Sequence, residues 1–278
     1  MSFPITLLSV CLGAALLPAW ALEEKETIRQ THPYASTVEV RNVNGGIRVT
    51  GYSGNQIELV ANKRIQAKTQ EALEQAKREV RLDVQPVGSR LKVCIEGVWS
   101  NCGDGQRHGC RNDCDREYSV SFDLELRVPV AVALELRSVN GGVRATGVDG
   151  SVHAKTVNGG VTLDALGGAA QAETVNGGLH VTFRKTPPDP FHAKTVNGSI
   201  EVTFPQNLNA TLKFRTLHGE VFTNMPAGAV TNEAPTVEMS NGRRRIRNNQ
   251  RFSVRVGGGG PEHSFETVNG NIQVKEAE

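Results

Sequence analysis

The sequence predicts an all-β fold, a β-solenoid of stacked two-strand rungs, and three observations predict it. The first is a repeat. Val-Asn-Gly recurs at Val43-Asn44-Gly45, Val139-Asn140-Gly141, Val157-Asn158-Gly159, Val175-Asn176-Gly177, Val196-Asn197-Gly198 and Val268-Asn269-Gly270. Successive asparagines from Asn140 stand 18, 18 and 21 residues apart, and Leu217-His218-Gly219 follows 21 residues later with His in place of Asn. One structural unit is being copied. The second is period-two alternation on either side of each copy, as in Leu134-Glu135-Leu136-Arg137, Val143-Arg144-Ala145-Thr146, Leu179 to Phe183 and Ile200 to Phe204. That is the pattern of half-buried strands. The third is a second set of turns about ten residues after the first, at Asp149-Gly150, Gly167-Gly168, Pro187 to Pro190 and Gln206-Asn207.

Asn-Gly is a strong turn signal because both residues tolerate positive φ. An antiparallel sandwich would also space its turns regularly and remains the alternative. It gives no reason for one turn always to be Thr/Ser-Val-Asn-Gly and the other always to vary. Stacked rungs do, because equivalent residues lie above one another about 4.8 Å apart.

Taken in chain order, residues 1–21 carry no charged side chain and run through an apolar stretch to Ala19-Trp20-Ala21. This reads as a signal peptide cut after Ala21, with an uncleaved anchor as the alternative. The apolar run is short for a span, which needs about 20 residues, and Val10 before Cys11 departs from a lipoprotein signal. No other segment reads as a transmembrane span. Residues 22–36 are an N-terminal extension, and 37–275 form a single solenoid domain. Its first copy covers 37–63, an insertion 64–131, and the repeat region 132–275.

Within the insertion, Ala67 to Val80 has helical composition, an apolar stripe of Ala72, Leu73, Ala76 and Val80, and Thr69 as N-cap. This helix is expected to cover one open end of the rungs. A hairpin follows, Val80 to Val84 and Arg90 to Ile95 around Gly88-Ser89, and then a strand from Tyr118 to Val128 stopping at Pro129. Between them lie Cys94, Cys102, Cys110 and Cys114. In an exported chain four cysteines read first as two disulfides, with three possible pairings. A zinc site, four thiolates or three with His108, is the competing reading, and free thiols are the third. The absence of any C-x-x-C weakens zinc and a thioredoxin-like motif. Asp104, Asp113 and Asp115 lack EF-hand spacing.

In the repeat region, Asn140, Asn158, Asn176, Asn197 and Asn269 form a structural ladder in this scheme, each amide bonding the next rung. An outward column of Arg137, Lys155, Glu173, Lys194 and Arg215 runs beside it as a solvated face. His153, His180 and His192 show no metal spacing. Later, Arg243, Arg244, Arg245, Arg247, Arg251 and Arg255 stand with no acid between Asn241 and Val256. They are either surface arginines on a distorted rung, with Ser240-Asn241-Gly242 a degenerate repeat, or a site for an anionic envelope polymer or surface glycan. Gly257 to Gly260 form a loop before a closing rung, Phe265 to Val274.

Composition bounds the function. Aromatics are 5% of the chain and glycines number 29, which suits narrow rungs of Val, Ile and Leu. With 31 Lys and Arg against 29 Asp and Glu, the near-zero balance argues against a nucleic-acid partner. No cofactor motif, H-E-x-x-H or G-x-S-x-G is present. A polysaccharide-acting enzyme would need paired carboxylates; Glu173 and Glu201 are candidates with no motif behind them.

The units Val139 to Val143, Thr156 to Val161, Thr174 to Leu179, Thr195 to Ile200 and Thr267 to Ile272, with Leu126-Arg127-Val128-Pro129 ahead of them, resemble the bacterial "putative adhesin" domain of unknown function. The resemblance runs over residues 37–274. It implies a solenoid-like fold, an envelope or surface location, periplasmic or cell-surface, and no catalytic residues. The leading expectation is an exported non-enzymatic binding or scaffold module, with a glycan-acting enzyme and a metal-binding envelope protein, through Cys94, Cys102, His108, Cys110 and Cys114, as alternatives.

Overall fold

The computed structural model describes residues 22–97, 117–231, 236–240, 243–247 and 252–277, the backbone alone for 227–247. The expected signal peptide, Cys102, Cys110, Cys114, His108, the three loop aspartates and Arg251 lie outside the described residues.

The described chain forms two long sheets, of twelve and eleven strands, with one helix. Each rung gives a short strand to the second sheet, turns at its Val-Asn-Gly, and gives the next strand to the first sheet. Thus Val152–Lys155 leads through Asn158 to Val161–Leu166, and the Gly167-Gly168 turn returns the chain to Ala170–Glu173. Neighbouring rungs run parallel and in register: Val152 faces Leu134 and Ala170, and Val161 faces Val143 and Leu179. Alternation buries one side of every strand between the sheets. The fold is a β-solenoid-like stack.

The stack is built from its local chemistry at the Asn edge. A Cβ on Gly141 or Gly198 would lie 2.0 Å from the carbonyl oxygen of the preceding rung, so the residue after each Asn must be glycine. Below the turn a buried row of hydroxyls also links the rungs. Thr156 donates to Gly141 O at 2.9 Å, Thr174 to Gly159 O at 2.8 Å, Thr195 to Gly177 O at 2.9 Å and Thr267 to Gly198 O at 3.0 Å.

Both ends change from parallel to antiparallel pairing. At the N-terminal end the helix Gln70–Glu79 begins at Thr69, whose side chain accepts from the Ala72 N–H at 3.1 Å. Ala72, Leu73, Ala76 and Val80 are buried, and Lys63 Nζ donates to Val80 O at 2.8 Å where the helix ends. Tyr118–Pro129 lies parallel to Ile47–Tyr52 and antiparallel to Gln56–Ala67. Residues expected as an extension instead form the strand Leu22–Pro33, antiparallel to Gln56–Ala67 over its full length. Charged residues at alternate positions hid it, because an edge strand buries little.

The C-terminal end holds the main correction. Phe265 to Val274 does not close the stack. Glu262–Asn269 inserts between His192–Lys194 and Ala210–His218, and Ile272–Glu276 between Ile200–Phe204 and Val221–Thr223. The last copy in sequence is therefore the next-to-last rung in space. Asn241 and Gly242 lie outside the described residues, and the strands that flank them, Thr236–Ser240 and Arg243–Arg247, pair antiparallel with each other rather than stacking in parallel as successive rungs do.

Inside, the interior changes along the stack. Around Asn140 and Asn158 it is aliphatic, with Leu134, Leu136, Ala145, Val152, Ala154 and Leu163. From Phe183 onward it is aromatic. Phe183 stacks on Phe204 at 5.2 Å, Phe204 on His263 at 5.1 Å, and Phe214 on both Phe265 and Phe252 at 5.2 Å. The few aromatics are concentrated here rather than spread thinly.

Candidate functional site

The repeated edge is the most regular surface of the molecule. Asn140 Nδ2 donates to Asn44 Oδ1 at 3.0 Å, Asn158 to Asn140 at 2.9 Å, Asn176 to Asn158 at 2.9 Å, Asn197 to Asn176 at 2.9 Å and Asn269 to Asn197 at 2.8 Å. His218 ends the row, its Nδ1 3.1 Å from Asn269 Oδ1; the amide oxygen being an acceptor, Nδ1 carries the proton. At the other end Asn44 Nδ2 turns to Val120 O at 3.3 Å. Main-chain bonds run in parallel, from Asn158 N–H to Val139 O at 2.7 Å and from Asn269 N–H to Val196 O at 2.8 Å.

The residue before most of these asparagines, and before His218, faces outward; Val43 and Val196 are half-buried. Val139, Val157, Val175, Val268 and Leu217 are 36–50% exposed, which makes an aliphatic line beside the amide line. Two residues earlier runs the charged column on the second sheet: Arg41, Arg137, Lys155, Glu173, Lys194, Glu266 and Arg215 in register. Glu266 separates Lys194 from Arg215, a consequence of the inserted rung. Lys155 pairs with Glu173 at 2.8 Å and Arg215 with Glu266 at 3.8 Å.

The paired carboxylates are not brought together. Glu173 is on the second sheet and Glu201 on the first. A Lys155 hydrogen bond holds Glu173 below its ordinary pKa, and Lys275, at 2.5 Å, does the same for Glu201. Both stay ionised, so neither is a proton donor at neutral pH.

The arginines divide between the sheets. Arg243–Arg247 is a strand of the first sheet, antiparallel to Val221–Thr223, with Arg245 in register with Phe222 and Glu238. Arg255 belongs to Phe252–Val256 of the second sheet, and its guanidinium donates to its own turn, Nη2 to Gly258 O at 2.6 Å. Cys94 is 3% exposed on Arg90–Glu96, and its sulfur is engaged rather than free. Among the described residues no cluster of three metal-ligating side chains occurs, and no helix is long and apolar enough to cross a membrane. His180 lies 3.4 Å from Glu201, and His192 Nδ1 2.6 Å from Ser264 Oγ.

The sequence reading missed His263. It is fully buried, its Nδ1 accepts the Phe191 N–H at 3.0 Å, and its Nε2 has no hydrogen-bond partner among the described residues. Burial, aided by His192, lowers its pKa to about 4. An ordinary polar position beside Glu262 gave no signal of this, because the inward face is set by the inserted register.

The fold and its edge define a class: a two-sheet stack of parallel rungs held on an asparagine ladder. Residues 25–249 match the family model described as Toastrack DUF4097, and the chain belongs to that family. Among solved structures, a putative cell adhesion protein from Clostridium sporogenes is 11% identical, with 92% of this chain and 100% of that one covered and a TM-score of 0.38. A putative adhesin from Bacteroides fragilis is 9% identical over 91% and 97%, TM-score 0.38. A putative lipid binding protein from Parabacteroides distasonis is 10% identical over 91% and 97%, TM-score 0.25. No curated protein matches the chain.

Proposed function

We propose that the protein is an exported, non-catalytic scaffold of the bacterial envelope that binds a repeating polymer along its asparagine edge. The observation that carries this reading is the periodic edge itself. Six asparagines and His218 repeat one surface on seven successive rungs. A surface of that kind suits an extended, self-similar partner better than a small molecule. Residues 1–21, read as a signal peptide, support export, and the engaged Cys94 sulfur supports a disulfide with one of Cys102, Cys110 and Cys114. The strand Arg243–Arg247 adds positive charge to the C-terminal end, where an anionic envelope polymer would be attracted.

The test is retention of residues 22–278 on purified envelope fractions across a salt gradient, beside a variant with Arg243, Arg244 and Arg245 changed to Ser. Retention that falls with salt and weakens in the variant is the expected result. Elution of the intact chain in the void from every fraction would remove the binding reading.

A further inference from the structure

The second residue after each asparagine has a different logic from the first. In spatial order these positions are Gly46, Gly142, Gly160, Gly178, Ser199, Asn271 and Glu220, with Asp123 occupying the equivalent place on the preceding strand. A Cβ at Gly46, Gly142, Gly160 or Gly178 would lie 3.6, 3.5, 3.2 or 3.4 Å from its nearest neighbour, and none of the four has a positive φ in the left-handed region. Ser199, Asn271 and Glu220 hold side chains at the same place. The fold therefore does not demand glycine at Gly46, Gly142 or Gly178, and at Gly160 a Cβ asks the Gly178 carbonyl to give by a few tenths of an ångström.

What they do is leave a row of main-chain donors uncovered. Where a side chain is present, it accepts the N–H of the following rung: Asp123 Oδ1 takes Gly46 N–H at 2.9 Å, Ser199 Oγ takes Asn271 N–H at 3.4 Å, and Asn271 Oδ1 takes Glu220 N–H at 3.0 Å. Gly142, Gly160, Gly178 and Ser199 follow a glycine, and their N–H groups meet no acceptor among the described residues. All four residues are exposed. The row spans roughly 14 Å, four donors at about 4.8 Å.

The walls add donors. A depression of about 500 Å³ on the first sheet is lined by Gly142, Gly160, Arg144 and Thr162, with Arg48 and the Asp123 and Glu125 carboxylates at its end, and Gly178 and Ser199 continue the row beyond it. Arg48 is held by Glu125 at 2.8 Å, whereas Arg144 has no ion pair among the described residues. Along the neighbouring edge each ladder amide spends one N–H on its neighbour and has a second. Away from the Asp123 and Glu125 end, the uncovered N–H row and Arg144 suit a ligand rich in acceptors, and charge-assisted bonds to such donors are the strong ones. Asp123 already shows a carboxylate oxygen seated on one of these N–H groups.

We propose that this groove binds an acidic polysaccharide, with carboxylate oxygens on the N–H groups of Gly142, Gly160, Gly178 and Ser199 and on the Arg144 guanidinium. The proposal rests on the polymer-binding reading above and names its substrate class. Single small anions fill one rung; a uronate chain fills the row.

The experiment is binding of short oligogalacturonates, inorganic polyphosphate and neutral dextran to residues 22–278, measured calorimetrically at fixed low salt. The variants are Gly142→Asn with Gly160→Asn, whose amides would cap the next N–H as Asn271 does, and Arg144→Ser. Arg137→Ser, on the opposite sheet, is the control, and Gly160→Ser serves if the double variant melts early. Galacturonate binding weakened about tenfold in either groove variant and unchanged in the control is expected, with dextran not bound. Equal galacturonate affinity in all forms, or none in any, overturns the groove. Polyphosphate held by the same groove in place of galacturonate overturns the carboxylate assignment. If envelope fractions retain every form equally while galacturonate binds none, the groove fails and the scaffold reading stands.

Discussion

The rungs from Asn44 to Asn176 and those from Asn197 to His218 share one edge and differ inside. Among the former the stacked copies from Asn140 onward are sequence neighbours, and Asn176 bonds Asn158 across 18 residues. In the latter Asn269 reaches Asn197 across 72. Two doublings of the closed loop cost about 1.2 kcal/mol of additional closure entropy. The aromatic interior is the larger effect, since truncating a buried Phe to Ala costs about 3–5 kcal/mol. The contrast teaches that the edge sets register everywhere while the interior is free to change, from aliphatic to aromatic beginning at Phe183 on the Asn176 rung; return distance alone does not dictate it, since Asn140 reaches Asn44 across 96 residues over an aliphatic interior.

Breaking the aromatic side should give the largest effect. Phe204→Ala, which removes contacts with Phe183, Phe191, Phe265 and His263, is expected to cost about 4 kcal/mol in urea unfolding. Leu163→Ala on the aliphatic side should cost about 2–3 kcal/mol. Equal losses would remove the distinction. The edge, by contrast, should respond alike in both regions. Gly177→Ala and Gly198→Ala, each placing a Cβ about 2 Å from a main-chain oxygen, should both lose about 3 kcal/mol.

Acid separates the regions in another way. His263 has a folded pKa near 4 against about 6.5 unfolded. Its contribution is therefore complete above about pH 6.5 and is lost as pH falls toward 4, about 3 kcal/mol in all. The same window should loosen the Asn269 rung before the aliphatic rungs. His263→Asn, which offers Phe191 N–H an acceptor without titrating, should flatten that part of the stability–pH curve. An unchanged curve would remove His263 as its source. The smallest effect is expected from the ladders: Asn158→Ala and Thr174→Val should each cost about 1 kcal/mol.

Much of this was legible in the sequence. The turn repeat and period-two alternation identify the parallel rungs, because each rung is a local unit whose neighbours are also its sequence neighbours. The helix at Gln70–Glu79 is likewise written locally, in Thr69 and its apolar stripe. The threading of Glu262–Asn269 between older rungs was not, since no local pattern records which of two similar edges a strand joins. Nor was the strand Leu22–Pro33, whose Glu23, Glu24, Lys25 and Glu26 look like a solvated tail. At the edge the asparagines stood out at once. The uncovered N–H groups did not, because seeing that Gly142 differs in role from Gly141 requires the distance each absent Cβ would have met.

The most direct test is native-state amide hydrogen exchange of residues 22–278 resolved by NMR, with and without oligogalacturonate. The N–H groups of Asn158, Asn176, Asn197 and Asn269 should be protected, those of Gly142, Gly160, Gly178 and Ser199 should exchange freely, and galacturonate should slow the latter four alone. Protection at Gly142, Gly160 and Gly178 without ligand would contradict the open donor row. Free exchange at Asn269 would contradict the inserted rung.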